Sequence, residues 1–75
     1  MSKKVDDAIL DLVRGSKDGR VLIRKGDIAK RAKLTNCKIV DVDTSLRRLT
    51  HRKKLTCTLD RESGMLDLRV ESDRA

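Results

Sequence analysis

The side chains most able to do chemistry in this sequence are its lysines and arginines. The 75 residues carry 19 Lys and Arg against 12 Asp and Glu, which gives a formal net charge of +7. Residues 19–60 hold the basic excess, whereas the segments on either side are close to neutral. A sustained local excess of this kind is typical of a surface that binds a polyanion. The simpler interpretation is a solvated charged face, and the length of the excess favours the binding interpretation.

Groups for catalysis or metal binding are scarce. The chain has one histidine, His51, and two cysteines, Cys37 and Cys57, which form no C-x-x-C pair. No nucleophile, zinc-protease or phosphate-loop motif occurs. We therefore expect no enzyme activity, no metal and no cofactor, with His51 on the surface. Cys57 is expected to be a small core side chain and Cys37 to be exposed at a turn, both as thiols rather than a disulfide.

The absence of Phe, Tyr and Trp excludes several kinds of binding. Without aromatic rings the chain cannot stack unpaired bases or form a cage around methylated lysine. The longest apolar runs are three residues, so we expect no membrane span and a cytoplasmic location, with nucleoid association in a bacterium or archaeon. The length allows a single domain over residues 1–75, with its core at about 5–70 and a frayed tail at 71–75.

Helical periodicity of the apolar residues predicts three helices that could position the basic groups. They are expected at residues 2–14, 28–34 and 37–54. Ser2 and Asp27 are the expected N-caps of the first two helices, because their side chains can accept from unpaired backbone N–H groups. The apolar stripe of the third helix consists of Ile39, Val42, Leu46 and Leu49.

Alternating apolar residues predict strands around these helices. A short strand is expected at residues 21–23, and two alternating runs at 55–60 and 65–70 flank a polar loop that contains Gly64. Such a pattern is typical of a β-hairpin. The short strand can pair with the edge of the hairpin to complete a sheet of three strands. The predicted class is therefore α+β, with the element order α-β-α-α-β-β.

This order of elements resembles the winged helix-turn-helix. Residues 27–35, DIAKRAKLT, resemble the second helix and turn of bacterial regulators, and residues 46–49, LRRL, followed by Lys54 and Leu55, resemble their third helix and first wing strand. Residues 59–64, LDRESG, resemble the wing of MarR-type repressors and small pilus-operon regulators. The resemblance covers about residues 5–70 and implies a winged helix-turn-helix fold that binds DNA.

Three features depart from the family pattern. Lys54 stands where a glycine usually precedes the first wing strand, and the stretch from Leu34 to Leu49 looks about one helical turn longer than usual. Asp41 and Asp43 place carboxylates near the start of the third helix. A carboxylate repels phosphate but can accept a hydrogen bond from cytosine N4. The sequence therefore leaves open, by one helical turn, which residues of the third helix face DNA.

The resemblance implies which groups meet DNA. The third helix of such a fold enters the major groove, and the wing touches the minor groove or the backbone. The expected base contacts are Thr44, Ser45, Arg47, Arg48 and His51. The expected backbone contacts are Arg24, Lys25, Lys30, Arg31, Lys33, Lys38, Arg52, Lys53 and Lys54, with Arg61 at the wing tip.

The expected partner is double-stranded DNA, bound sequence-specifically by a transcriptional regulator, most simply a repressor similar to small plasmid, phage and pilus-operon regulators. A module of this size binds weakly alone, so a homodimer or side-by-side copies on DNA are expected, with Leu10 and Leu22 as candidate contacts. Two alternatives stay open. One is a basic winged helix that binds RNA or the ribosome, and the other is a protein-interaction module, which Asp41 and Asp43 favour.

Overall fold

The chain forms three helices and a three-stranded antiparallel sheet, which confirms the predicted α+β class. The computed structural model describes residues 2–70, with side chains from residue 4 onward. The helices are α1 (Ser2–Arg14), α2 (Lys25–Arg31) and α3 (Ile39–His51), and a short 3-10 turn (Lys17–Gly19) follows α1. The strands are β1 (Arg20–Ile23), β2 (Leu55–Asp60) and β3 (Met65–Val70). The expected N-cap role of Ser2 and the frayed tail at 71–75 lie outside this description.

The last strand of the chain, β3, lies at the centre of the sheet. The strand order is β1-β3-β2, so it differs from the order along the chain. Leu68 of β3 stands opposite Val21 on one side and Cys57 on the other. Because directly opposed residues share a face, these three side chains pack towards the helices, whereas Asp67 and Arg69 lie on the outer face.

One small core joins all three helices to the sheet. Its buried members are Ile9, Leu10, Val13, Ile23, Ile28, Val42, Leu46, Leu49, Leu55 and Leu68. Leu10, a candidate dimer contact from the sequence, belongs to this core, because only 6% of the residue is exposed. Its burial also removes Leu10 as a dimer contact. Leu22, on the outer face of β1, remains 45% exposed.

Several element ends differ from the sequence prediction. α2 begins at Lys25 because the chain already turns at Arg24, whose carbonyl accepts from the N–H of Asp27 at 2.9 Å. Asp27 is therefore a residue of the first turn and not the N-cap. α3 ends at His51 rather than at residue 54, and the additional length before α3 lies in the non-helical segment 32–38. Ile39 is 59% exposed, so the buried stripe of α3 begins at Val42.

Two residues after the last residue of each helix, α2 and α3 are followed by a lysine in the left-handed conformation, Lys33 with φ 59° and Lys53 with φ 60°. After α3, the N–H of Lys54 donates to the carbonyl of Leu49 at 3.0 Å, and the N–H of Lys53 donates to that of Thr50 at 3.0 Å. This pair of bonds is a Schellman motif, and the same pattern ends α2. The position that glycine usually fills is thus Lys53, one residue before the lysine that the family pattern singled out.

Candidate nucleic-acid interface

One face of α3 is turned entirely to solvent. Val40, Thr44, Arg47 and His51 are exposed and follow one another at helical spacing, on the side of α3 opposite the buried Val42 and Leu49. The Arg47 side chain is 82% exposed. We call these four residues the α3 stripe. Three of the five expected base contacts, Thr44, Arg47 and His51, belong to it, so the structure brings them together on an accessible surface.

The other two expected base contacts, Ser45 and Arg48, face α1 instead of solvent. Ser45 has no exposed surface, and its hydroxyl donates to the Asp6 carboxylate. Arg48 donates to both oxygens of Asp6, from Nε at 2.8 Å and from Nη2 at 3.0 Å. Ser45 therefore cannot reach a base, and the Arg48 guanidinium is already engaged. Both residues lie on the flank of α3 that packs on α1, so the structure does not bring them together with the other three expected base contacts.

Asp6, which is not among the residues expected from the sequence, holds the flank of α3 that carries Ser45 and Arg48. It is only 7% exposed, and hydrogen bonds from Arg48 hold its pKa below the ordinary value, with a further lowering from Ser45. Burial by itself would raise the pKa of Asp6, but the hydrogen bonds lower it by more. The carboxylate is therefore charged at neutral pH and compensates the charge of Arg48. Asp6 precedes the buried Ile9 and Leu10 by three and four residues, a helical spacing that places it on the inner face of α1.

The two acidic residues near the start of α3 are both used within the chain. The Asp41 carboxylate accepts from the backbone N–H of Lys38 at 3.1 Å and so caps the first turn. Asp43 contacts Lys25 of α2 through Nζ at 3.1 Å and Arg47 through Nε at 3.6 Å. The hydrogen bond from Lys25 is the main reason that the pKa of Asp43 is lowered. Asp43 thereby joins the start of α2 to the α3 stripe.

Most of the basic groups expected at the DNA backbone are exposed and make no ion pair within the described part of the chain. Lys25 is the exception, through Asp43. The others are Arg24, Lys30, Arg31, Lys33, Lys38, Arg52, Lys53 and Lys54. Lys38 immediately precedes α3, and residues 52–54 immediately follow it. Positive charge therefore borders both ends of the α3 stripe.

The β2–β3 turn holds Arg61 at an exposed position. Ser63 donates from its hydroxyl to Asp60 at 2.7 Å, and its Oγ accepts from the N–H of Met65 at 3.2 Å. Gly64, with φ 77°, closes the turn by donating to the carbonyl of Asp60 at 2.8 Å. Leu59 alternates with the buried Leu55 but is 61% exposed, because it lies near the tip of the hairpin. The turn is thus locally ordered and presents Arg61 to solvent.

On the outer face of the sheet, arginines are paired with a carboxylate, unlike most of the basic groups on the α3 side. Asp67 accepts from Arg20 at 3.0 and 3.1 Å, and Arg69 approaches the same carboxylate at 3.4 Å. These bonds lower the pKa of Asp67 and keep its carboxylate ionised at neutral pH. Two arginines of this face are thereby occupied within the chain, so the outer face is a poorer surface for a polyanion than the α3 side.

The sulfur and imidazole groups form no further site. Cys37 and Cys57 are free thiols, both half-buried against the core, and burial raises the pKa of each. Cys37 is therefore less exposed than expected. Across residues 4–70, His, Cys, Asp and Glu side chains form no group of three that could hold a metal ion. Each described helix also falls short of the length and apolar character needed to cross a membrane.

Comparison with known proteins finds no protein-family model that matches the sequence and no curated protein that matches it.

Proposed function

We propose that the chain is a winged helix-turn-helix protein that binds duplex DNA, with α3 in the major groove. The β2–β3 turn then lies on the minor groove or the backbone. The observation that carries the proposal is the α3 stripe, which presents Thr44, Arg47 and His51 to solvent between Lys38 on one side and the basic residues 52–54 on the other. Asp41 and Asp43 of α3 repel DNA phosphates less than free carboxylates would, because both are engaged within the chain.

The arrangement of elements supports the winged helix-turn-helix architecture. Two helices, α2 and α3, are joined by the non-helical segment 32–38, and a hairpin follows α3 directly. The strand before α2 pairs with the second strand of the hairpin, so the hairpin is anchored to the helical core. An anchored hairpin beside an exposed helix can touch DNA next to the groove that the helix enters.

The dimensions of the α3 stripe suit the major groove. From Val40 to His51 the stripe extends about 16 Å at 1.5 Å per residue, which is the length of about five base pairs. A major groove about 12 Å wide admits an α-helix. Arg47, near the middle of the stripe, can donate two hydrogen bonds to guanine O6 and N7, the commonest specific arginine contact.

The basic groups beside the stripe supply affinity that does not depend on sequence. If about six of them each neutralise a phosphate, the logarithm of the binding constant falls with the logarithm of salt concentration with a slope of about −5. A single module of this size buries roughly 600–1,000 Å² and binds weakly alone. We therefore propose that the protein acts as a dimer or as adjacent copies on DNA. We further propose that it regulates transcription in the cytoplasm, as a repressor that occludes a promoter.

A titration of duplex DNA and duplex RNA of the same sequence, followed by fluorescence anisotropy at several salt concentrations, tests the proposal. Duplex RNA carries the same phosphate charge, but its major groove is too deep and narrow for side chains to read. We expect tighter binding to DNA near 150 mM salt, with a salt slope of several units. Equal binding to both, lost at moderate salt, would overturn the proposal and favour the RNA or protein-partner alternatives.

A further inference from the structure

Two aliphatic side chains are exposed side by side at the start of α3. Ile39 is 59% exposed and Val40 is 62% exposed. Leaving such groups in water forgoes the free energy that their burial would give, roughly 25 cal/mol for each Å² of apolar surface. The position of the pair is also specific, because both residues lie in the first turn of the helix that carries the α3 stripe.

Val40 belongs to the α3 stripe, and Ile39 lies at its flank. Val40 precedes Thr44 by four residues and Arg47 by seven, so the three side chains are aligned along one face. Ile39 precedes Asp43 by four residues and is turned with it away from the middle of the stripe. The stripe therefore begins with an apolar group and continues with groups that form hydrogen bonds.

We propose that Val40 is a specificity-determining residue that contacts the C5-methyl group of thymine. This inference rests on the proposed binding of α3 in the major groove. The thymine methyl is the apolar group that base edges present there, and the first residues of a recognition helix are those that usually contact base edges. Val40 and Arg47 are separated by about 10 Å along the helix, which is the length of about three base pairs. A thymine and a guanine about three base pairs apart are the bases that this face would select.

A protein partner fits the same pair less well. A stable protein interface buries about 800 Å² on each side, which is far more than two aliphatic side chains provide. The residue just before the pair is Lys38, and the stripe continues to Arg47. The carboxylates beside the pair are engaged within the chain, Asp41 with the N–H of Lys38 and Asp43 with Lys25 and Arg47. A single thymine methyl group is an apolar partner of the size that these two side chains can cover.

Replacing thymine by uracil removes only the methyl group and tests the inference directly. Duplexes of about 20 base pairs would be selected from a random library with the natural protein, and the best site rebuilt with deoxyuridine at each thymine in turn. At one position we expect about fourfold weaker binding, the ratio that corresponds to one methyl group. Val40→Ala should bind the thymine and uracil duplexes equally well. Ile39→Ala, a change of the neighbouring and equally exposed residue, should keep the fourfold ratio.

Two results would overturn the inference. One is an unchanged thymine-to-uracil ratio in Val40→Ala, and the other is a natural protein that shows no such ratio at any position. Both leave the proposed DNA binding intact, because the duplex itself is still bound. Failure to select any duplex would instead overturn the proposed function, and the inference with it.

Discussion

Arg48 donates to both carboxylate oxygens of Asp6, from Nε at 2.8 Å and from Nη2 at 3.0 Å, and thereby ties α3 to α1. Its sequence neighbour Arg47 is turned the other way and is 82% exposed. Two adjacent arginines of one helix thus have different roles. Arg48 fixes the rotation of α3 on the core, and that rotation determines which residues form the α3 stripe.

Removal of the Asp6 carboxylate should destabilise the fold. Asp6→Ala leaves Arg48 without its partner and Ser45 without its acceptor in a nearly buried place, so we expect a loss of about 2 kcal/mol or more in the free energy of unfolding. Asp7→Ala removes a neighbouring carboxylate that is exposed, and should change this free energy by less than about 0.5 kcal/mol. Urea unfolding followed by circular dichroism measures both, and equal losses in the two variants would refute a structural role for Asp6.

The same carboxylate should make stability depend on pH in the acid range. The pKa of Asp6 is lower in the folded chain than its ordinary value of 3.8. Its stabilising contribution is therefore complete above that value and is lost as the pH falls through the lower, folded-state pKa. We expect the stability difference between the natural protein and Asp6→Asn to be constant near neutrality and to shrink below pH 3.8. Thermal unfolding between neutral pH and pH 2 measures it, and a difference that grows on acidification would contradict the account.

Truncation of Arg47 should weaken DNA binding without weakening the fold. Arg47→Ala removes an exposed side chain, so its unfolding temperature should stay close to that of the natural protein. Loss of a bidentate guanine contact costs about 1–3 kcal/mol, which corresponds to roughly 5- to 150-fold in affinity for a selected site. Arg14→Ala, which removes the same exposed group from the end of α1, is the matched control. Equal effects of the two changes on affinity would show that only net charge matters.

Glycine in place of Lys53, the left-handed residue after α3, should stabilise the fold but weaken DNA binding. Lys53 adopts φ 60°, which costs a residue with a side chain about 1–2 kcal/mol, and glycine avoids this at a smaller entropic cost. We therefore expect Lys53→Gly to raise the free energy of unfolding by up to about 1 kcal/mol while it weakens DNA binding. Lys54→Gly removes the same charge where no left-handed residue is needed, so it should bring no gain in stability. A gain in neither variant would contradict the Schellman assignment.

Removal of the Asp43 charge should strengthen binding to DNA but reduce its selectivity for one sequence. Asp43→Asn removes a negative charge beside the α3 stripe and releases Lys25 and Arg47 from their ion pairs. We expect tighter binding to arbitrary duplexes and a steeper salt slope, together with poorer discrimination of a selected site, because Arg47 is held less firmly. Asp27→Asn changes the charge equally on the exposed surface of α2 and is the control. Improved discrimination in Asp43→Asn would exclude the positioning role.

The periodicity of apolar residues was sufficient to predict the helices, the hairpin and the α+β class. The residues of α1 show where that information ends. Asp6, Ile9, Leu10 and Val13 recur at helical spacing, but the charge of Asp6 hides its place on the inner face of α1. A charged residue is buried only with a partner, and that partner, Arg48, lies on another helix.

The sequence was sufficient to predict that the third helix carries the candidate site, but not which face of that helix is exposed. Ser45 and Arg48 are excluded from the α3 stripe by contact with α1, and the sequence contains no local signal for which flank of α3 meets that helix. The sequence predicts an end of the third helix at residue 54, three residues too late, for a similar reason. The chain stops the helix with Lys53 in a left-handed conformation, and no glycine marks the position.

Mapping the bound surface by NMR tests the central claim most directly, namely that the α3 stripe is the DNA-binding face. Amide spectra of the labelled protein would be recorded during titration with a duplex of about 16 base pairs. We expect the largest shifts at Thr44, Arg47 and His51, and no change at Leu22 or Arg69 on the outer face of the sheet. Shifts concentrated on that outer face, or no shifts at all, would contradict the account.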